Sequence, residues 1–195
     1  MAKPRIYIGL AHHPVYNKNM DVITTSITSL DIHDIARSAR TYEVAHYFVI
    51  HPLESQQLLV KNILDFWQEG WGAEYNPDRK EAFSRISLSN TIDEVVEEIT
   101  KREGIAPMTI TTDARIYPNT ITYRDLRTEL HKGKQPYLLL FGTGWGLEDA
   151  TMKAATYILE PIYGPGDYNH LCVRGAVSII LDRLLGEAWW ESTEK

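Results

Sequence analysis

Short β-prone apolar runs alternate along the chain with longer stretches of helical period. The first run, Arg5-Ile6-Tyr7-Ile8-Gly9-Leu10, is rich in branched and aromatic residues and reads as a buried strand. It ends at Ala11-His12-His13-Pro14, and the Asn-rich residues 16–21 carry turn chemistry. Residues 22–26 are short and β-prone. Ser29 or Asp31 can cap a helix reaching about residue 42. Its spacing turns Ile32, Ile35, Ala36 and Ala39 to the core and Asp31, Asp34, Arg37 and Ser38 to the other side. Residues 45–50 form the next strand, and residues 53–70 an amphipathic helix with Leu58, Leu59, Ile63, Phe66 and Trp67 as its apolar positions. Residues 71–79 read as a loop around Asn76-Pro77, and residues 86–88 as a short strand. A helix capped by Asn90 or Thr91 runs to Glu103 and stops at Gly104. Residues 108–111 are a strand, followed by a loop holding Asp113, Ala114 and Arg115. Thr122 caps a helix that ends before Gly133. Residues 137–141 and 157–162 are further apolar runs, and an apolar helix over 172–185 closes the pattern.

Strand and helix take turns throughout. That rhythm predicts an α/β fold with a mostly parallel sheet and helices on both faces. Ligands in such sheets bind outside the carboxyl ends of the strands. No repeat or linker interrupts the pattern, so residues 1–195 are expected to form one domain. The paired Trp189 and Trp190 near the end read as packed against something, such as a partner subunit.

Composition narrows the compartment and the partners. No apolar run approaches the roughly 20 residues of a membrane span, and no long apolar stretch follows the N-terminal residues, so neither a membrane anchor nor a signal peptide is expected. Cys172 is the single cysteine, which excludes an intramolecular disulfide and a cysteine-rich zinc site. The cytoplasm is the expected location. A net charge of −6 argues against broad charge-driven nucleic-acid binding but leaves room for a local basic patch.

Candidate chemistry gathers in two glycine-rich loops at successive strand ends. The first is Gly142-Thr143-Gly144-Trp145-Gly146. As a dinucleotide loop it has the wrong spacing and lacks the acidic residue about 20 positions on. As the first motif of a Rossmann methyltransferase it comes too late in the chain. A ligand loop peculiar to a fold with its site at the C-terminal end remains, beside a tight turn that needs positive φ. The second loop is Gly164-Pro165-Gly166-Asp167-Tyr168-Asn169-His170. It offers backbone groups, a carboxylate at Asp167, and the free N–H groups of the helix that follows. Asp31, His33, Asp34 and Arg37 form a third polar cluster within two helical turns. The plain alternative there is a solvated face with Asp31 as a cap. His12-His13 read as loop or rim histidines, Cys172 as a small packing residue at a helix start, and no metal site is expected.

Three segments together resemble the SPOUT superfamily of S-adenosylmethionine-dependent RNA methyltransferases. They are Ser29 through Ala39 with the helical Arg37, Leu139 through Leu147, and Leu159-Glu160-Pro161-Ile162 through Ala176. The triplet Gly166-Asp167-Tyr168 is similar to the tRNA guanine-N1 methyltransferases of that superfamily. The whole chain looks like a stand-alone domain of a bacterial methyltransferase-like group. The resemblance implies a C-terminal deep trefoil knot over about residues 137–186, S-adenosylmethionine as cofactor, a tRNA or rRNA substrate, and a homodimer. Asp31 and His33-Asp34, Thr143-Gly144, and His170-Leu171-Cys172 depart from the ribose 2′-O enzymes of the superfamily, so the resemblance leaves the target atom open.

On this resemblance, the backbone at Phe141, Gly142, Leu159, Ile162, Gly166 and Leu171 would hold adenine and ribose, with Thr143, Gly144, Glu160, Pro161 and Asp167 beside them. Asn169, His170 and Arg174 would reach the polar end of the cofactor or the acceptor. Arg37 would bind a phosphate or the acceptor base, across a dimer interface if necessary. Asp167 or Asp34 would serve as base. The competing class is a non-catalytic module that binds S-adenosylmethionine or RNA and acts with a partner protein.

Overall fold

The computed structural model describes residues 4–133 and 135–187. Its centre is the strand β1 (Arg5–Ala11), which lies between β4 (His46–Ile50) and β7 (Pro136–Gly142). β5 (Ile86–Ser89) extends the sheet beyond β4, and β6 (Met108–Thr111) and then β8 (Tyr157–Ile158) extend it beyond β7. All these pairings are parallel, in the order β5-β4-β1-β7-β6-β8. The chain first builds outward from β1 through β4 to β5, then crosses to β6, returns inward to place β7 beside β1, and ends at the far edge with β8. The direction therefore reverses between β1 and β7, the kind of position where open α/β sheets hold ligands.

Both sheet faces are covered. One core holds Ile32 and Ile35 of α1 (Ser29–Thr41), Val60 and Leu64 of α2 (Glu54–Gln68), Leu126 and Leu130 of α6 (Tyr123–Lys132), and Val177, Leu181 and Leu184 of α8 (Val173–Leu185). The other holds Val95 and Ile99 of α5 (Ile92–Glu103) and Met152 of α7 (Asp149–Ala154). The expected α/β architecture is present, and β1 and β7 are apolar on both faces because helices cover both.

Local chemistry explains most element ends. Thr91 and Thr122 cap α5 and α6 by accepting from the N–H groups of Glu94 and Asp125, and Gly104 ends α5 at φ 73°. The cap of α1 differs from expectation. Thr28 accepts from Asp31 N–H and donates to the Asp31 carboxylate at 2.6 Å, so Asp31 sits in the first turn rather than at the cap. Two further expectations are corrected. Residues 71–79 are not a loop: they form α3 (Trp71–Tyr75) and the start of α4 (Pro77–Phe83), with Asn76 accepting from Arg79 N–H and Pro77 in the first turn. The buried stripe of α2 is Val60 and Leu64, while Leu58, Leu59 and Phe66 lie on its exposed side. Residues 15–23 form a small hairpin, β2 (Val15–Tyr16) with β3 (Val22–Ile23). Trp189 and Trp190 lie outside the described residues.

Candidate cofactor and acceptor cleft

A cleft of about 970 Å³ opens at the carboxyl ends of β6, β7 and β8. Four segments line it: residues 25–28 leading into α1, 112–115 after β6, 141–146 after β7, and 160–174 between β8 and α8. Lys18 and Met20 of the hairpin loop also line it.

The first glycine loop is built by its neighbours. Tyr16 N–H donates to the Gly146 carbonyl and Trp145 N–H to the Tyr16 carbonyl, both at 2.9 Å, so the hairpin is stitched to the loop. Gly144 and Gly146 adopt φ of 60° and 94°. A Cβ at Gly146 would stand 2.6 Å from the Asp113 carboxylate. Thr143 Oγ1 lies 2.5 Å from Thr25 Oγ1, which lies 3.1 Å from His12 Nδ1. His12 is fully buried, contrary to the rim position expected, and burial lowers its pKa to about 4.

The loop after β6 closes the same wall. Arg115 forks onto Asp113, with Nε 3.1 Å from both carboxylate oxygens and Nη2 2.5 Å from Oδ2, and Nη2 also reaches the Leu147 carbonyl at 3.1 Å. The Asp113 side chain is only 4% exposed. This ion pair ties β6 to the first glycine loop. Sequence reading named the loop but did not single out the pair; a carboxylate two residues before an arginine, just past a strand end, was the available signal.

The second glycine loop is held far more loosely. Asn169 Nδ2 donates to the Ala114 carbonyl at 3.1 Å, and His170 sits edge-on between Trp145 and Tyr168. Asp167 is exposed on the cleft wall and makes no hydrogen bond or ion pair among the described residues. Gly164 and Gly166 have no positive φ, and a Cβ at either would meet nothing within 4 Å. Leu159 and Pro161 have buried side chains behind the wall. The N–H groups of Leu159 and Glu160 are spent on Thr111 and Ile121 at 2.9 and 3.0 Å. The Glu160 carboxylate accepts from Tyr123 N–H at the start of α6.

The polar cluster on α1 is divided by the structure. Arg174, in the first turn of α8, reaches Asp31 through Nη1 at 3.4 Å and Asp34 through Nε at 3.2 Å. Ser38 meets Ser178 of α8 at 2.8 Å. That side of α1 is therefore a helix interface, not a solvated face. His33 turns away into the Trp67 and Phe83 rings, where burial lowers its pKa. Arg37 is exposed, lies off the cleft wall, and its guanidinium makes no hydrogen bond or ion pair among the described residues. Cys172 does stand at the start of α8, but it is exposed and lines the cleft instead of packing.

A family model described as SAM-dependent RNA methyltransferase matches residues 5–186. This chain belongs to the S-adenosylmethionine-dependent RNA methyltransferases. An uncharacterized protein of Aquifex aeolicus is 45% identical over 184 residues, covering 94% of this chain and 90% of that protein. A Nitratidesulfovibrio vulgaris protein named tRNA (guanine-N(1)-)-methyltransferase is 40% identical over 184 residues, covering 94% of this chain. The chain spans only 43% of that relative's length. Among solved structures, the SpoU methyltransferase AviRb of Streptomyces viridochromogenes, in complex with the cofactor AdoMet, superposes with a TM-score of 0.59 at 16% identity, covering 95% of this chain and 58% of that one. The methyltransferase thus has the SPOUT α/β fold, and S-adenosylmethionine is its cofactor. No helix among the described residues is long and apolar enough to cross a membrane.

Proposed function

We propose that the cleft binds S-adenosylmethionine along the second glycine loop and directs its methyl group to a nucleotide of tRNA or rRNA at the cleft mouth. One observation carries this reading: the chain makes no demand of its own for glycine at 164 or 166, yet both stand in the loop bordering a cleft large enough for donor and acceptor together. Glycine there lets another molecule approach the backbone. The main chain at Phe141, Gly142, Ile162, Gly166 and Leu171 holds adenine and ribose. Leu159 contributes its carbonyl, since its N–H is spent inside the sheet. Thr143 and Gly144 shape the floor, and Glu160 and Pro161 fix the strand end behind it. Asn169, His170 and Arg174 reach the polar end of the donor or the acceptor.

When bound, the donor supplies an electrophilic methyl on a sulfonium. The chain's own task is to hold the acceptor in line and remove its proton. Asp167 is the better-placed base, because it is on the wall and unpaired. Asp34 lies off the wall and orients Arg174. Tyr123 also faces the cleft, but burial pushes its phenol up to about 12, so it keeps its proton. Arg37 stands apart from its own cleft, which supports a role in the cleft of a second protomer. The reading therefore includes a cytoplasmic homodimer, with residues 137–186 forming the deep knot of the superfamily. The tRNA part rests on the names of relatives that this chain matches over less than half their length.

The test replaces Arg37 and Asp167 singly with alanine. Donor binding and methyl incorporation into RNA lacking the modification are then measured. The expected result is intact donor binding by Arg37→Ala with transfer lost in both variants. Wild-type transfer by both would overturn the assigned roles. Donor binding by the wild-type chain without transfer to any RNA would favour a non-catalytic module.

A further inference from the structure

Three aromatic rings stand together beside the cleft, and two of them, Trp145 and His170, line it. Trp145 comes from the first glycine loop, and Tyr168 and His170 come from the second. His170 lies between the other two, 6.5 Å from Trp145 at 66° and 5.4 Å from Tyr168 at 70°. These edge-on contacts hold the group together while leaving ring faces open. Trp145 remains 55% exposed and Tyr168 79% exposed. Large apolar rings in a cluster at a cleft edge are a costly feature to leave in water.

Trp145 is also held rigidly. It sits between two glycines of positive φ, and its N–H is bonded to the Tyr16 carbonyl. Lys18 and Met20, from the hairpin that is stitched to the same loop, line the same cleft as Trp145. Lys18 is exposed and makes no ion pair among the described residues. A fixed aromatic face and a free cation in one cleft have the chemistry for a nucleotide: the base stacks and the phosphate meets the ammonium.

We propose that Trp145, with Tyr168, is the stacking platform for the acceptor nucleobase, and that the acceptor is an unpaired or extruded nucleotide. A base within a duplex has both faces covered by its neighbours, so it cannot offer one to these rings. The proposal rests on the donor-site reading for its meaning but not for its test. It assigns specificity for single-stranded segments to two residues outside the donor's backbone cradle.

The experiment titrates the full chain, with and without S-adenosylhomocysteine, into two labelled RNAs of equal composition. One is an unstructured oligomer and the other a fully paired hairpin. Fluorescence anisotropy gives both affinities, and calorimetry gives S-adenosylmethionine affinity separately. Trp145→Ala is expected to weaken oligomer binding about tenfold or more, to leave hairpin binding unchanged, and to keep donor affinity within about twofold of wild type. Trp145→Phe should restore most of the oligomer affinity, and Tyr168→Ala should weaken it to a smaller degree. These two variants separate a stacking role from simple misfolding of the loop. Oligomer affinity equal in Trp145→Ala and wild type, including the case in which neither binds, would overturn the platform. So would an equal loss for both RNAs. Failure of the wild-type chain to bind the donor, with the oligomer result as expected, would overturn the donor-site reading and leave the platform standing.

Discussion

The two glycine loops look alike in sequence and differ in what their glycines do. In the first, Gly144 and Gly146 take positive φ, and the loop is stitched to the hairpin and walled by the Asp113–Arg115 pair. The chain itself dictates glycine there. In the second, Gly164 and Gly166 have ordinary backbone angles and open space where a side chain would go. The comparison teaches that a glycine-rich loop is not one kind of evidence. The first loop is scaffold that sets the shape of the cleft, and the second is where a ligand can come close.

Substitution should separate the two roles. The largest effect is expected at Gly146→Ala, where positive φ and a Cβ 2.6 Å from Asp113 act together. It should cost about 3 kcal/mol and lower the melting temperature by several degrees in thermal denaturation. Arg174→Met comes next. It leaves the buried Asp31 carboxylate with only the hydrogen bond it accepts from Thr28 and should cost about 2 kcal/mol, read from urea denaturation. Asp34→Asn should cost much less, because that partner is nearly half exposed.

The smallest effect concerns the buried histidine behind the first loop. An unfolded histidine titrates near 6.5, and burial holds His12 at about 4. Between those values the unfolded chain binds a proton that the folded chain does not, so this contribution to stability is complete above pH 6.5 and is lost as pH falls toward 4. His46, also lowered to about 4, acts in the same direction. His12→Gln should therefore flatten, but not abolish, the fall in melting temperature between pH 6.5 and 5, the part of the window above most carboxylate titration. An unchanged slope would detach His12 from the rigid wall.

The contrast between the loops also marks how far sequence carries. The sheet strands were legible because β-branched and aromatic runs such as residues 5–10 and 137–141 are separated by well-capped helices. Thr91, Thr122, Gly104 and Gly133 announced those helix ends directly. Glycine runs at successive strand ends marked the two loops, and the resemblance gave them a cofactor. What stayed hidden depended on tertiary neighbours. The phase of α2 was ambiguous because Leu58, Leu59, Val60, Ile63 and Leu64 are all apolar, and only packing selects Val60 and Leu64. His12 looked like a rim residue because nothing local shows that Thr25 folds back to meet it. The short helices of residues 71–83 were masked by Asn76-Pro77, which is a helix start as readily as a turn. The polar cluster on α1 was visible, but its division into Arg174 partners and an inward His33 required α8 and α4 to be in place.

One measurement tests the division of labour most directly: calorimetric titration of S-adenosylmethionine into the wild-type chain and into Gly166→Val, beside their melting temperatures. The substitution fits the open space and the ordinary backbone angle at that position. The account predicts binding by the wild type, an unchanged melting temperature in the variant, and donor affinity reduced at least about tenfold, since the new side chain takes the ligand's place. Wild-type affinity in a folded Gly166→Val, or no donor binding by the wild type, would contradict it.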